Sequence, residues 1–559
     1  MKRLLLSAIP DDFNPQNDIL SGPWCFLGKE HLIYNGDDFE FEPDPFDNVD
    51  DIVYHAKLTT EYAESYMYAL ASQLNEINQT NHSRKFWRLL VFPWLLSLVQ
   101  STWERQLRIN SLLKKYSNVE LEIELIKDNI IWDFRDTLDH QRSGLLKHLY
   151  NHWLYSRLLE SNIPSKWRVK WVNKNYNSSQ NFKQKNILKR KVIKWYGNNF
   201  LLSNVYGIGR SEAFILELFI RLKSLFISYN NNKDSDKYKT INLKWNLDWG
   251  KLVQATIPDC FKNIEIKGEP SSAIRIFIVG PNSVWYEENH KLKLAQAIER
   301  GSKIITTQHG GGYGTSIDYP FTPSIEYIHY KFISWGWTEQ EDYRGNIIPL
   351  PSPLLSKYKY KKKNNNIILI STYALVYSFR FDYIPQASQQ IEYINSRMNF
   401  IDSINNAVYK NLYYRLFHIE SGSLSDKAYV RKKYPDLKIL EGNLHKETMK
   451  CQLLIVDHPD TTLNIALAAN IPTVCFWDKD VLPMCRQAEP YFEELRKVGI
   501  LYNNGKEAAE KVNEIWGDVE GWWRQSHIQK AREEWCWQYA RTSKNWRWEW
   551  IKTLWKLGK

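Results

Sequence analysis

The spacing of hydrophobic positions changes along this chain, and the change divides it. Residues 2–9 read as a buried first strand that stops at Pro10. From Lys57 apolar residues recur at three-to-four spacing, as in Ala63, Met67, Leu70 and Leu74, which predicts helix. Helical character continues, with interruptions, to about Leu159. The second half is built instead from short, continuous apolar runs. Residues 275–280 and 303–307 predict strands, and 287–300 between them predicts a helix closed by Gly301. Strand, helix, strand with short connections is a parallel βαβ unit. The pattern then repeats, with strands at 367–371, 413–417, 437–440, 453–457 and 473–477 and helices at about 387–409 and 463–469.

Two successive α/β units predict two Rossmann-like domains facing a cleft, with ligands bound beyond the carboxyl ends of the strands. The expected fold class is α/β, with a large helical insertion in the N-terminal half. The expected divisions are 1–330, with a helical and basic insertion at about 55–240, then 331–515, then a Trp-rich tail at 516–559. That tail carries nine Trp and is expected to be helical and to pack across both domains, membrane-surface contact being the alternative.

Composition adds one local feature. The chain of 559 residues is 43% hydrophobic and 25% charged, an ordinary globular balance that speaks against disorder. Its net charge of +11 is concentrated: residues 161–210 hold eleven Lys and Arg and no Asp or Glu. With Trp167, Trp171 and Trp195, this stretch suits an anionic lipid surface, a phosphorylated acceptor or nucleic acid, or else is a solvated loop. No nucleic-acid motif accompanies the charge, so nucleic acid is not expected as a partner. The six Cys show no CxxC spacing and indicate neither a zinc site nor a redox pair; scattered thiols fit a reducing cytoplasm. No signal peptide is read at the start, and the longest apolar run, 89–99, is far shorter than the ~20 residues of a spanning helix.

Candidate chemistry gathers at strand ends. Gln308-His309-Gly310-Gly311-Gly312-Tyr313-Gly314 begins where the strand 303–307 ends. Its glycines let backbone N–H groups close on an anion, and His309 can bind a phosphate or take a proton from a hydroxyl. The alternative is a structural turn with a satisfied His. Asp457-His458-Pro459-Asp460-Thr461-Thr462 follows another strand and opens a helix; Asp460 or Thr461 can cap it, and its first turn suits a phosphate. Arg415 and His418 lie near a strand end in the same half, where Arg suits a diphosphate. Asp11 and Asp12 follow the first strand as a general base or as turn residues. No DxD-like acidic pair closes a strand in the second half, and Asp457, His458 and Asp460 read as donor-binding or capping groups rather than metal ligands.

The Gln-His-Gly-Gly-Gly-Tyr-Gly loop, Ser334-Trp335-Gly336-Trp337, the Asp457-to-Thr462 segment, Ala468-Ala469-Asn470, Phe476-Trp477-Asp478 and the run from Arg486 through Pro490-Tyr491-Phe492 to Gly499-Ile500 together resemble the O-antigen/surface-polysaccharide transferase family. Gly22-Pro23-Trp24-Cys25 resembles its early Gly-x-Trp-Cys element. The resemblance covers about 270–505. It implies a GT-B-like architecture, with 1–330 as acceptor domain and 331–515 as donor-nucleotide domain. The implied enzyme is a metal-independent glycosyltransferase of the cytoplasm or inner membrane face. Its implied partners are a nucleotide-sugar donor, which is a substrate and not a cofactor, and a glycan or lipid-linked acceptor. His309 is then the expected base, and Thr461, Thr462 and Arg415 the groups that hold the leaving phosphate. A CDP-polyol phosphate transferase and a non-catalytic polysaccharide-binding or scaffold protein are the alternatives.

Overall fold

The computed structural model describes residues 1–33, 41–46, 48–176, 201–224, 240–265, 276–317, 320–372, 375–381, 385–417 and 422–557. Its strands form three sheets, and the pairing within each is parallel.

The first sheet joins β1 (Lys2–Leu5), β2 (Asp18–Leu20), β3 (Leu121–Ile126) and β4 (Trp167–Val172) in the order β2-β1-β3-β4. Between β2 and β3 run two long helices, α1 (Val49–Asn78) and α2 (Arg84–Tyr116). Ala63, Met67, Leu70 and Leu74 are all buried on α1, as their spacing predicts. Helix α2 is buried around much of its circumference and continues through Pro93, because it packs on α1 and on α3 (His148–Glu160). This sheet adds strands to the segment expected as a helical and basic insertion: β3 and β4 lie inside it, β3 pairing with β1 and β4 with β3.

The second sheet runs β5 (Leu202–Ser203), β6 (Ile276–Val279), β7 (Lys303–Thr307), β8 (Lys331–Ser334), β9 (Ile347–Pro349) in sequence order. Helix α4 (Arg210–Ser224) follows β5, α5 (Glu288–Glu299) links β6 to β7, and α6 (Phe321–Glu326) precedes β8. Gly301, at φ 81°, takes the left-handed turn expected after α5. The sheet continues past residue 330 to Pro349, so β8 and β9 belong with β7.

The third sheet has the order β12-β11-β10-β13-β14-β15, from β10 (Ile367–Ile370), β11 (Leu412–Arg415), β12 (Lys438–Ile439), β13 (Leu453–Val456), β14 (Thr473–Phe476) and β15 (Leu501–Tyr502). Its central strands are buried along their whole length, which is why they read as continuous apolar runs. Helix α7 (Gln390–Ser403) leads from β10 towards β11, and α8 (Thr461–Ala469) from β13 to β14. The second and third sheets form two Rossmann-like parallel units, whose carboxyl ends meet at Gly311 and Thr461.

The Trp-rich tail spans both units. Helix α9 (Ser526–Tyr539) packs on α8 and on the helix Glu489–Lys497 of the third-sheet unit. Helix α10 (Trp546–Lys556) packs back on α4 of the second-sheet unit. The chain thus crosses between units twice, and the crossings are bonded to each other: Ser352 N–H donates to Arg541 O (2.8 Å), and Ser543 N–H to Ser356 Oγ (3.2 Å). Trp550 adds an indole bond to Pro351 O (2.9 Å). Among the described residues no helix is long and apolar enough to cross a membrane.

Candidate functional site

The loop after β7 is held from three sides. Gln308 is buried; its amide donates to Gly310 O (2.8 Å), and its Oε1 accepts from Trp335 N–H (2.8 Å) and the Trp337 indole (2.9 Å). Gly314 stands at φ 75° against the Trp337 ring, and its N–H donates to Gln340 Oε1 (3.0 Å). Cys485, from the third-sheet unit, donates its N–H to Thr315 O (2.8 Å).

The same loop meets the start of α8. Gly311 N–H donates to Thr461 Oγ1 (2.8 Å). A Cβ on Gly311 would fall 2.1 Å from the Asp460 carbonyl carbon, so glycine is required here by close approach. A Cβ on Gly310 would stand 2.9 Å from Thr461 Oγ1. The two strand-end loops found by sequence therefore face one cleft. Asp460 proves to be the cap of α8, its Oδ1 accepting from Thr461 N–H (2.6 Å) and from Thr461 Oγ1 (3.1 Å). Thr462 follows in the first turn, where backbone N–H groups and the helix dipole favour an anion.

His309 is half-buried in this cleft. Its Nδ1 is 2.7 Å from the Tyr313 hydroxyl, and its ring lies 5.3 Å from that of Tyr206. The Tyr313 hydroxyl in turn lies 3.0 Å from Glu326 Oε1 and 3.1 Å from Oε2. Glu326 is fully enclosed and also accepts from the Trp285 indole (2.7 Å). Burial lowers His309 to about 4, opposed by Asp460 and assisted by the positive charge of Arg380, so the ring is neutral near pH 7. Burial raises Glu326 to about 8, against the bonds from Trp285 and Tyr313 and the charge of Arg380.

Arg380 comes from the loop after β10 and reaches across to the second-sheet unit, 5.6 Å over Trp285 and 5.5 Å over Phe321. That loop is a junction of all three units. Tyr377 stacks on Trp24 (5.6 Å) and bonds His148 Nδ1 through its hydroxyl (3.0 Å), and Phe381 N–H donates to Gln100 Oε1 (3.1 Å). The early Gly22-to-Cys25 element is thus a buried packing turn, with Trp24 also donating to Leu6 O (3.0 Å).

Other predicted residues stand elsewhere or in other roles. Asp457 is buried in an ion pair with Arg397 (2.5 Å), which pairs in turn with Asp426 (2.7 Å). The Arg397 and His458 partners hold the Asp457 carboxyl below the usual range despite its burial. His458 Nδ1 lies 2.7 Å from Asp457 Oδ1. This cluster ties α7 to the end of β13. Arg415 spends a guanidinium N–H on Leu440 O (2.9 Å), bracing its own sheet. His418 lies outside the described residues. Asp11 pairs with Lys29 (2.7 Å) and Asp12 with Arg3 (2.9 Å), both at the surface of the first sheet. Trp167 is buried and bonded to Tyr116 O (3.0 Å), whereas Trp171 is partly exposed. Trp195 lies outside the described residues.

The sequence reading did not single out Tyr313, Glu326, Arg380 or Tyr206. Tyr313 had a usable signal, four residues after His309 in the same motif. Arg380 stands between Phe379 and Phe381, a cation flanked by aromatics, and Glu326 is the lone acid of α6.

The sequence model of a family described as LIC12162 family transferase matches residues 2–554. No curated protein matches the chain. Among solved structures, MurG from Acinetobacter baumannii is similar at 12% identity and a TM-score of 0.30, covering 50% of this chain and 73% of that one. A mutant O-GlcNAc transferase from Thermobaculum terrenum is similar at 9% identity and a TM-score of 0.24, covering 91% of this chain and 81% of that one. At scores of this size the fold rests on the strand order itself.

Proposed function

The chain belongs to the LIC12162 transferase family, and on that premise we propose that it moves a sugar from a nucleotide-activated donor to a growing cell-surface glycan of the O-antigen or capsule type. The observation that carries the reading is the meeting of the His309 loop with the N-terminus of α8, Gly311 against Thr461, at the carboxyl ends of two parallel sheets. Such an edge binds nucleotides, and a helix N-terminus with a nearby guanidinium suits a diphosphate.

In this reading the donor diphosphate lies at the first turn of α8, near Thr461 and Thr462, with Arg380 taking the role first given to Arg415. The neutral His309 ring accepts the proton of the acceptor hydroxyl as the sugar leaves the phosphate. Negative charge on the leaving group is met by the helix end and Arg380, without a metal ion or other cofactor. The acceptor is a glycan or a lipid-linked glycan at the inner face of the membrane, approached by the basic stretch 161–210.

Thermal-shift screening against UDP-, GDP-, dTDP-, CMP- and CDP-linked sugars tests the reading, since a ligand bound only by the folded state raises its stability by RT ln(1 + [L]/Kd). One nucleotide class should stabilise the wild type and lose its effect in Arg380→Ala. Stabilisation by CDP-polyols alone would turn the assignment to polyol-phosphate transfer. No stabilisation and no donor hydrolysis would leave a binding protein.

A further inference from the structure

We propose that Glu326 and Tyr313 are positioning residues that act through His309, forming a buried proton path from the cleft to the Glu326 carboxylate. The inference deepens the transferase reading and rests on it.

The geometry is a continuous chain. His309 Nδ1 meets the Tyr313 hydroxyl at 2.7 Å, and that hydroxyl meets both Glu326 oxygens at 3.0 and 3.1 Å. A hydroxyl has one proton. When Glu326 is ionised, Tyr313 donates to it and must accept from His309, so the ring carries its proton on Nδ1 and keeps an open lone pair on Nε2. When Glu326 is protonated the direction reverses: Glu326 donates to Tyr313, Tyr313 donates to Nδ1, and the ring proton stands on Nε2, which can no longer act as a base. The state of a side chain buried behind the site thus selects the tautomer at its surface.

The same chain completes the proton balance of the transfer. The acceptor O–H breaks and an Nε2–H bond forms; Nδ1–H breaks and a new Tyr313 O–H forms; the former Tyr313 proton passes to Glu326. In a Ser-His-Asp triad the carboxylate is the weaker base and keeps no proton. Here the order is inverted, because burial raises Glu326 to about 8 and lowers His309 to about 4. The other charged and titratable groups facing the chain are Arg380 from the loop after β10, Asp460 from the cap of α8, Tyr327 beside α6, and Tyr206 after β5, whose ring lies 5.3 Å from that of His309. Trp285 fixes the carboxylate through Oε1 (2.7 Å), and Thr306 holds the Glu326 backbone carbonyl (2.6 Å).

The test is imidazole-nitrogen NMR on histidine-labelled full-length protein from pH 6 to 9.5, with His309→Ala identifying the signal. In the wild type the proton should move from Nε2 to Nδ1 as pH rises, with a midpoint near 8. In Glu326→Gln the Trp285 indole holds the amide oxygen, so the amide donates to Tyr313 and locks the proton on Nε2 at every pH. Tyr313→Phe should also abolish the transition. With a donor identified by the thermal-shift screen, Glu326→Gln should lower kcat by about 10²-fold or more, leave KM for the donor unchanged and lose the rising alkaline limb. A wild-type tautomer constant over this range, or a Glu326→Gln transition like that of the wild type, overturns the proton path whether or not sugar is transferred. An intact tautomer transition without transfer would instead sink the transferase reading.

Discussion

Gly311 and Thr461 are joined by a 2.8 Å hydrogen bond that carries the loop after β7 onto the cap of α8. The glycine belongs to one Rossmann-like unit and the threonine to the other. Gly311→Ala would place a methyl group against backbone that cannot turn aside, since the Asp460 carbonyl carbon and Thr461 N lie 2.1 and 2.2 Å from the new atom. Overpacking of this kind costs about 1–3 kcal/mol, and Thr461→Val, which removes the hydroxyl that accepts from Gly311 N–H and donates to Asp460 Oδ1, should cost about 1 kcal/mol. Denaturant unfolding of both variants checks the order; equal effects would mean that contact does not limit this position.

His309→Ala should fold normally and lose transfer. The ring is half-buried and bonded to Tyr313, outside the main core. Circular dichroism melting should stay within a few degrees of wild type while product formation disappears. Transfer at a near wild-type rate would remove His309 from the chemistry.

Stability should fall on both sides of a maximum near pH 6.5, for separate reasons. Glu326 keeps its proton when folded to about pH 8, whereas an unfolded Glu loses it near pH ~4.3. Between these values the folded state holds the extra proton, so stability declines as pH rises, by about 1.4 kcal/mol per pH unit for one full proton. On the acid side His309 is lowered to about 4, and His140 and His329 to about 3, by burial. Unfolded histidine titrates near pH ~6.5, so below that value the unfolded chain takes up protons that the folded state refuses, and stability drops again. Urea midpoints from pH 5 to 9 should show both limbs. Glu326→Gln should keep the acid limb and flatten the alkaline one; an unchanged alkaline decline would place its source elsewhere.

How much of this was legible in advance differs by sheet. Five of the six strands of the third sheet read from the sequence, the central ones because parallel strands buried on both faces are uninterrupted apolar runs, as in Leu453–Val456; the two-residue β15 does not. In the first sheet only β1 does. In β3, Leu121–Ile126, Glu122 and Glu124 alternate with apolar residues between helical stretches, and in β4 the cations Arg168 and Lys170 read as surface charge. The His309 loop and the start of α8 announced themselves by glycine content and position after a strand. Glu326 and Arg380 could not, because what makes them functional candidates is burial and an approach across the cleft, both products of tertiary packing.

The Asp457–Arg397–Asp426 cluster should be structural rather than catalytic. Arg397→Met leaves two buried carboxylates without their cation, and removal of one partner from such a network costs about 3–5 kcal/mol. The loss should appear as a lowered unfolding midpoint, with the nucleotide preference of the folded protein unchanged. A stable variant with altered donor choice would return Asp457 to the donor site.

Binding to a bilayer tests the acceptor side. The stretch 161–210 carries eleven cations, and each near an anionic surface contributes about 1 kcal/mol, fading over a Debye length of ~8–10 Å. Vesicles of anionic lipid should co-sediment with the protein at low salt and release it as salt rises, while neutral vesicles do not bind. Exchange of Lys189, Arg190, Lys191 and Lys194 for Gln should abolish the difference. Because Trp167 is committed to Tyr116, Trp171 is the aromatic to monitor by fluorescence.

The double crossing near Ser352 and Arg541 has a mechanical meaning. A single connection would let one unit swivel, tilt and slide against the other. Two connections side by side, pinned by Ser352 to Arg541 and by Ser356 to Ser543, act like adjacent leaves on one pin. They oppose sliding and torsion between the two units. Such a joint favours one relative disposition of the two units, the one in which Gly311 meets Thr461.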